Sequence, residues 1–224
     1  MALEFEHPYV ATDMALFQVV KSLKSRGLNE FRLEILLVEQ VYAEGEPPKL
    51  ALPGGFVRMD ETLEENVMRK LQNKTGLSGD FYREQLYTKS DVFRDDRGRV
   101  ISCSYLGIAR DNNLTGSLKD NSSWYKVSEI ASMELAFDHA EIIDYALTRM
   151  AGKALYTDIV FLFLPELFTI DDLSQVFAII LGKPVGNLRR KIGHLLEATD
   201  QHETGIAKRP ALLHRRNDAP FLKG

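Results

Sequence analysis

The sequence predicts an α+β protein in two parts, a mixed β-sheet sandwiched by helices over residues 1–153 and a small helical module ending in a hairpin over residues 154–224. Three observations predict this. Apolar runs with the two-residue period of strands share the first part with two amphipathic helical stretches. Gly182-Lys183-Pro184 separates two further helices in the second part. Charge is also lopsided: from Lys183 to Arg216, eight Lys and Arg stand against three Asp and Glu, on a chain of net charge −4.

The first part opens with Val10 to Val20, which alternates loosely as a strand, and Phe31 to Gln40, a second strand richer in aliphatics. A loop through Gly45-Glu46-Pro47-Pro48 leads to a helix from about Leu63 to Lys74, stopped by Gly76, the residue type favoured just past a helix end. Strands are expected near Phe81 to Thr88, Val100 to Ala109 and Trp124 to Val127. A helix from His139 to Met150 follows, with Ile142, Ile143, Ala146, Leu147 and Met150 on one face.

In the second part, the apolar run Ile159 to Leu164 closes at Pro165, and Thr169 with Asp172 three residues on forms a helix-start signal. That helix reaches Leu181. A second, from about Gly186 to Leu196, turns Leu188, Ile192 and Leu195 inward and Arg189, Arg190 and Lys191 outward. A polar segment then leads to Lys208-Arg209-Pro210 and an apolar strand. Helix, turn, basic helix and hairpin is the order of a winged helix-turn-helix, whose second helix enters the major groove. The candidate DNA contacts are therefore Asn187, Arg189, Arg190 and Lys191 on the helix, and Lys208, Arg209 and Arg215 on the hairpin. Arg and Asn suit guanine and adenine edges, and Lys suits the backbone. A solvated basic helix on an interaction module is the alternative.

Composition narrows the classes. There is no apolar run of about 18 residues and no secretory leader pattern, so a cytoplasmic protein without a membrane span is expected. Cys103 is the only cysteine, which excludes an internal disulfide and a cysteine metal cluster.

The most informative stretch is Leu52 to Leu77, LPGGFVRMDETLEENVMRKLQNKTGL. Gly55, Glu61, Arg69, Leu71, Gly76 and Leu77 resemble, in register, the Nudix box of phosphate-cleaving enzymes. That resemblance implies a Nudix fold and, in active members, three acidic side chains on one helix face that hold a divalent metal. Here those positions are Lys70, Asn73 and Lys74. A unit-charge contact at ~4 Å is worth about 4 kcal/mol near a protein surface, so exchanging carboxylates for ammonium groups turns attraction of a dication into repulsion. No catalytic residue, metal or cofactor is expected. Glu64 and Glu65 stay acidic one turn or more earlier, where a solvated helix face is the plainer role.

Over Tyr9 to Arg216 the chain resembles the Nudix-related transcriptional regulators, bacterial repressors known for controlling NAD metabolism. The resemblance rests on Glu84 to Thr88, Arg94 to Val100, Phe137 to Glu141, Leu164 to Thr169 and Ile180 to Pro184 as well as the box. It implies a homodimer that senses ADP-ribose or a related nucleotide-sugar or sugar and binds a palindromic double-stranded operator. The chain departs from the family at Leu188, usually aromatic, at Lys208, usually Gly, and at Glu39 and Gln40, where arginines are frequent.

Without a metal, a diphosphate needs direct cations, and Arg58, Lys70, Lys74, Arg94, Arg97 and Arg99 are the candidates near the cleft. Arg97-Gly98-Arg99 reads equally as a hairpin turn with solvated ends, and His139 as a helix-start or interface residue. A hydrolase of ADP-ribose or a similar nucleoside diphosphate derivative with a non-standard metal site is the alternative function, and a nucleotide-binding adaptor a third.

Overall fold

The computed structural model describes residues 7–23, 29–42, 44–110, 113–203 and 210–220. It divides into two compact units, one of residues 1–17 and 35–146, the other of residues 18–34 and 147–224. No helix of the described residues is long and apolar enough to cross a membrane.

The seven-stranded sheet uses β1 (Tyr9–Leu23), β2 (Asn29–Gln40), β3 (Lys49–Ala51), β4 (Gly54–Phe56), β6 (Tyr82–Lys89), β7 (Val100–Ile108) and β9 (Ser122–Lys126). Its order is β3-β2-β1-β7-β6, with β4 added on β1 and β9 on β2. β1 and β7 run parallel from Tyr9 opposite Val100 to Phe17 opposite Ile108, whereas β6 and β7 are antiparallel. The sheet is therefore mixed, as predicted. Sequence periodicity misses β3, β4 and the separate ribbon of β5 (Ser78–Gly79) and β8 (Leu114–Thr115), because two or three residues are too few to show alternation.

Helix α1 (Leu63–Thr75) begins where its signals place it. The Thr62 hydroxyl accepts from the Glu65 amide and the Glu65 carboxylate accepts from the Thr62 amide, and Gly76 ends the helix at φ 80°. Val67 and Leu71 are fully buried, facing Met14, Leu16, Leu36 and Tyr105 of the sheet. Burial of each contributes about 1.5 to 3 kcal/mol, which fixes this face of α1 against the sheet. Helix α2 spans His139–Lys153 and follows Phe137, a non-glycine residue at φ 52°.

The second unit contains a 3₁₀ turn at Asp158–Phe163, helix α3 (Ile170–Leu181), helix α4 (Leu188–Ile192) and the antiparallel pair β10 (Leu196–His202) and β11 (Leu212–Arg216). The capping signal at Thr169 and Asp172 is realised as a reciprocal pair of hydrogen bonds of 3.0 Å each. The basic helix is shorter than predicted. Asn187 sits at φ 55°, outside helical geometry, and the chain tightens into a 3₁₀ turn over Gly193–Leu195. Leu188, Ile192 and Leu195 are buried, as their spacing requires. Lys208 and Arg209 lie outside the described residues.

Candidate functional site

The cleft of the first unit is built on a glycine pair. β4 is zipped onto β1, with Gly54 opposite Asp13 and Gly55 opposite Thr12. A Cβ at Gly54 would stand 2.2 Å from Asp13 Oδ1 and 2.3 Å from the Thr12 carbonyl oxygen, and one at Gly55, where φ is 145°, would stand 2.9 Å from Lys70 Nζ. Neither position admits a side chain, so the backbone and the Lys70 amine share that space. Asn66 locks the loop to the helix: it accepts from Thr12 Oγ1 at 2.6 Å and donates to the Phe56 carbonyl at 2.8 Å and to Glu61 at 2.6 Å. Arg69 grips Glu61 through Nε at 2.7 Å and Nη2 at 2.5 Å. That grip, with the Asn66 and Arg58 donors, holds the Glu61 carboxyl far below the usual carboxylate range.

The cavity beside this loop has a volume of about 130 Å³, and Lys70, Lys74, Arg94 and Arg97 line it with Asp13, Gln40, Asp95 and His139. A larger space of about 600 Å³ adjoins it and shares Tyr42, Arg94, Asp95, Arg97 and Phe137 as walls. Four of the six predicted effector residues therefore converge. Arg58 and Arg99, also expected there, line neither of these two spaces. Val100 faces the cavity, and period-two alternation turns Arg99 away, where it donates to the Asp91 carbonyl at 3.1 Å. Arg58 is exposed, and its backbone amide donates to Glu61 at 2.7 Å.

The cations in the cleft differ in their partners. Arg94 is buried in a two-pronged pair with Asp138, at 2.9 and 2.6 Å. Arg97 forms a similar fork with Asp95, and its guanidinium lies 5.0 Å from the Phe137 ring centre, 5.3 Å from that of Tyr42 and 5.7 Å from that of Phe56. Burial, aided by the Asp13 charge, pushes the Tyr42 hydroxyl up to about 12. Lys74 Nζ donates to Gln40 Oε1 at 2.5 Å, a neutral partner. Lys70 has no hydrogen-bonding or ion-pair partner among the described residues. Burial first, then the charges of Arg69 and Lys74, holds Lys70 below the usual lysine pKa, and burial with Arg97 and Lys119 does the same for Lys74.

His139 is more than a helix start. Its Nδ1 accepts from the Leu52 amide at 2.9 Å, so the proton sits on Nε2, 3.6 Å from Asp13 Oδ1. Asp13 also accepts from Ser102 Oγ at 2.5 Å. Burial keeps the His139 imidazole below its usual pKa and so neutral. Sequence reading misses Asp13, Tyr42, Phe56 and Phe137 as wall residues; the available signal is an isolated acid within the apolar strand from Val10 to Val20.

A divalent cation does not fit this helix face. Ammonium groups offer donors and no lone pair, whereas Mg²⁺ takes oxygen ligands. Asn73 is exposed, and the remaining acids of the helix are engaged: Glu65 in the cap, and Glu64 accepting from the Tyr105 hydroxyl at 3.1 Å.

In the second unit, Asn187, Arg189, Arg190 and Lys191 are all exposed, and the three cations make no ion pair among the described residues. Arg215 differs, because it faces Glu197 across β10 and β11 with hydrogen bonds of 3.0 and 2.9 Å. A contact to DNA must compete with that pair.

A Nudix sheet with a recast helix face, joined to a helix-turn-helix and hairpin, defines a Nudix domain protein carrying a winged helix. The chain belongs to this family: residues 28–146 match the NUDIX domain, and residues 160–215 match the NrtR DNA-binding winged helix domain. It is 30% identical over 224 residues to the ADPR responsive transcriptional repressor NtrR of Acinetobacter baylyi, covering 95% of this chain and 83% of that one. Its structure is similar to that of Shewanella oneidensis NrtR complexed with a 27mer DNA, at TM-score 0.73 and 30% identity over 93% of each chain. The NUDIX domain of the same Shewanella protein complexed with ADP ribose is similar at TM-score 0.52 and 29% identity, over 65% of this chain and 90% of that one. An ADP-ribose pyrophosphatase of Methanocaldococcus jannaschii is 34% identical over 143 residues, 62% of this chain and 73% of the enzyme.

Proposed function

We propose that this protein is a cytoplasmic, homodimeric transcriptional repressor that responds to ADP-ribose or a closely related nucleotide-sugar. Residues 1–153 bind the effector and dimerise, and residues 154–224 bind a palindromic operator. The observation that carries this reading is the convergence of Lys70, Lys74, Arg94 and Arg97 in one cleft, two of them on the helix of the Nudix-like box. The whole-length likeness to the Acinetobacter repressor supports it. Arginines are frequent after the family's second strand; here Lys74 brings a cation to Gln40, which suits a phosphorylated effector better than a neutral sugar.

Asn187, Arg189 and Arg190 are assigned to base edges and Lys191 to phosphates, with Lys208, Arg209 and Arg215 contributing from the wing. Effector in the cleft biases the dimer toward or away from the spacing of two half-sites about 34 Å apart. Fluorescence anisotropy on fragments upstream of the protein's own gene, with and without ADP-ribose, tests this. A change in operator affinity of about 5- to 150-fold is expected. Equal affinity at saturating ADP-ribose rejects effector control, and affinity without a steep salt dependence rejects operator binding.

The likeness to the Methanocaldococcus enzyme favours a second reading, hydrolysis of ADP-ribose, over the matched part of the chain. The cationic helix face opposes it. The repressor reading expects no product from ADP-ribose with Mg²⁺ or Mn²⁺, measured by chromatography of AMP and ribose phosphate.

A further inference from the structure

We infer that Lys70 and Lys74 bind the diphosphate of the effector directly, as a substitute for a divalent metal, so that effector binding is metal-independent. The inference rests on the effector reading above and specifies its chemistry.

The cations of the cleft are not equally available to a ligand. Four basic side chains line it, but two already have fixed carboxylate partners: Arg94 is paired with Asp138 and Arg97 with Asp95. Asp13, the remaining acid on the wall, is shared by Ser102 and His139 and lies 3.9 Å from Arg94. What is left over is the pair of ammonium groups on successive turns of α1, with no carboxylate partner among the described residues. A diphosphate esterified at both ends carries one ionised oxygen on each phosphoryl group at neutral pH. Two lysines match that dianion without help from a metal.

Electrostatics supports the match. Both lysines are held below their usual pKa by burial and by neighbouring cations, so the protein carries a local repulsion that an anion relieves. The Lys70 amine lies beside Gly55, where φ is 145° and a Cβ would stand 2.9 Å from it. The phosphate contact therefore falls beside the glycine loop, whose backbone approaches closely for want of a Cβ. A dication entering the same space meets two like charges and no free carboxylate on the helix.

The test is calorimetric titration of the full-length protein with ADP-ribose, and separately with inorganic pyrophosphate, in EDTA and in Mg²⁺. Affinity for ADP-ribose in EDTA is expected to be no weaker than in Mg²⁺. Lys70→Gln and Lys74→Gln are each expected to weaken both ligands about ten- to a hundredfold, the range for losing a hydrogen bond to a charged group. Lys70→Arg should retain most of the affinity. A single cooperative thermal transition and a far-ultraviolet circular dichroism spectrum like that of wild type show that the Gln variants fold.

A tenfold or greater loss of ADP-ribose affinity in EDTA overturns the inference and leaves the effector reading standing. So does unchanged binding in folded Lys70→Gln and Lys74→Gln proteins. Lysine-dependent binding of pyrophosphate without binding of ADP-ribose supports the phosphate site and rejects the effector reading instead.

Discussion

Arg94 and Asp138 meet in a two-pronged ion pair whose side chains are 4% and 10% exposed, beneath the cleft of the Nudix unit. Such a pair is costly to break, because removing one partner leaves the other charge buried and uncompensated. Arg94→Ala is expected to lower stability by about 3 to 5 kcal/mol in urea unfolding. Replacing both residues together, with Arg94→Met and Asp138→Leu, should restore most of that loss. A double variant as unstable as Arg94→Ala would show that the fold needs the pair itself and not merely its neutralisation.

His139 makes a pH-dependent contribution whose direction is fixed by its burial. Its folded pKa lies below the ordinary imidazole value of 6.5, so the unfolded chain takes up a proton that the folded one refuses. Stability is fully present above pH 6.5 and is lost as pH falls below it. Urea unfolding at pH 7.5 and 5.5 should find wild type above His139→Gln at the higher pH and closer to it at the lower. A constant difference would place the titration elsewhere.

Thr169 starts the first helix of the DNA-binding unit, with its side chain buried and bonded to the Asp172 amide. Thr169→Ala should cost about 1 kcal/mol, typical of a missing amino-cap, and Thr169→Ser much less. Thermal unfolding of the two variants provides the comparison.

The exposed helix cations and the paired hairpin arginine should behave differently toward DNA. Arg189→Ala with Arg190→Ala is expected to weaken operator binding by about 1 to 3 kcal/mol for each arginine that reads a base, and to flatten the salt slope by about one for each that neutralises a phosphate. Arg215→Ala should cost less, since Glu197 already occupies its guanidinium. Glu197→Gln should tighten DNA binding by freeing it. Weaker binding in Glu197→Gln would show that the pair orients Arg215 for the operator.

Most of the architecture is legible in the sequence, because long elements repeat their pattern often enough. The caps at Thr62 and Thr169 and the inward set Leu188, Ile192 and Leu195 stand where spacing places them. Charge type is sufficient to nominate Lys70, Lys74, Arg94 and Arg97 for the cleft. It cannot separate them from Arg58 and Arg99, since that depends on which way a strand end or loop turns. Nor can it show that Arg94 and Arg215 are already paired, because Asp138 and Glu197 are distant in sequence and adjacent only after folding. Asn187 shortens the basic helix through a backbone torsion that composition alone does not specify.

The glycine pair separates shape from sign. Gly54 lets β4 close onto Asp13 and Thr12 while Gly55 leaves the space that the Lys70 amine occupies, and neither depends on whether residue 70 is cationic or anionic. A few substitutions on one turn of helix can therefore invert what the cleft attracts while the sheet, the Glu61–Arg69 brace and the Asn66 lock stay as they are. In this scaffold, turnover and sensing are neighbouring states of one surface, reachable from each other without refolding.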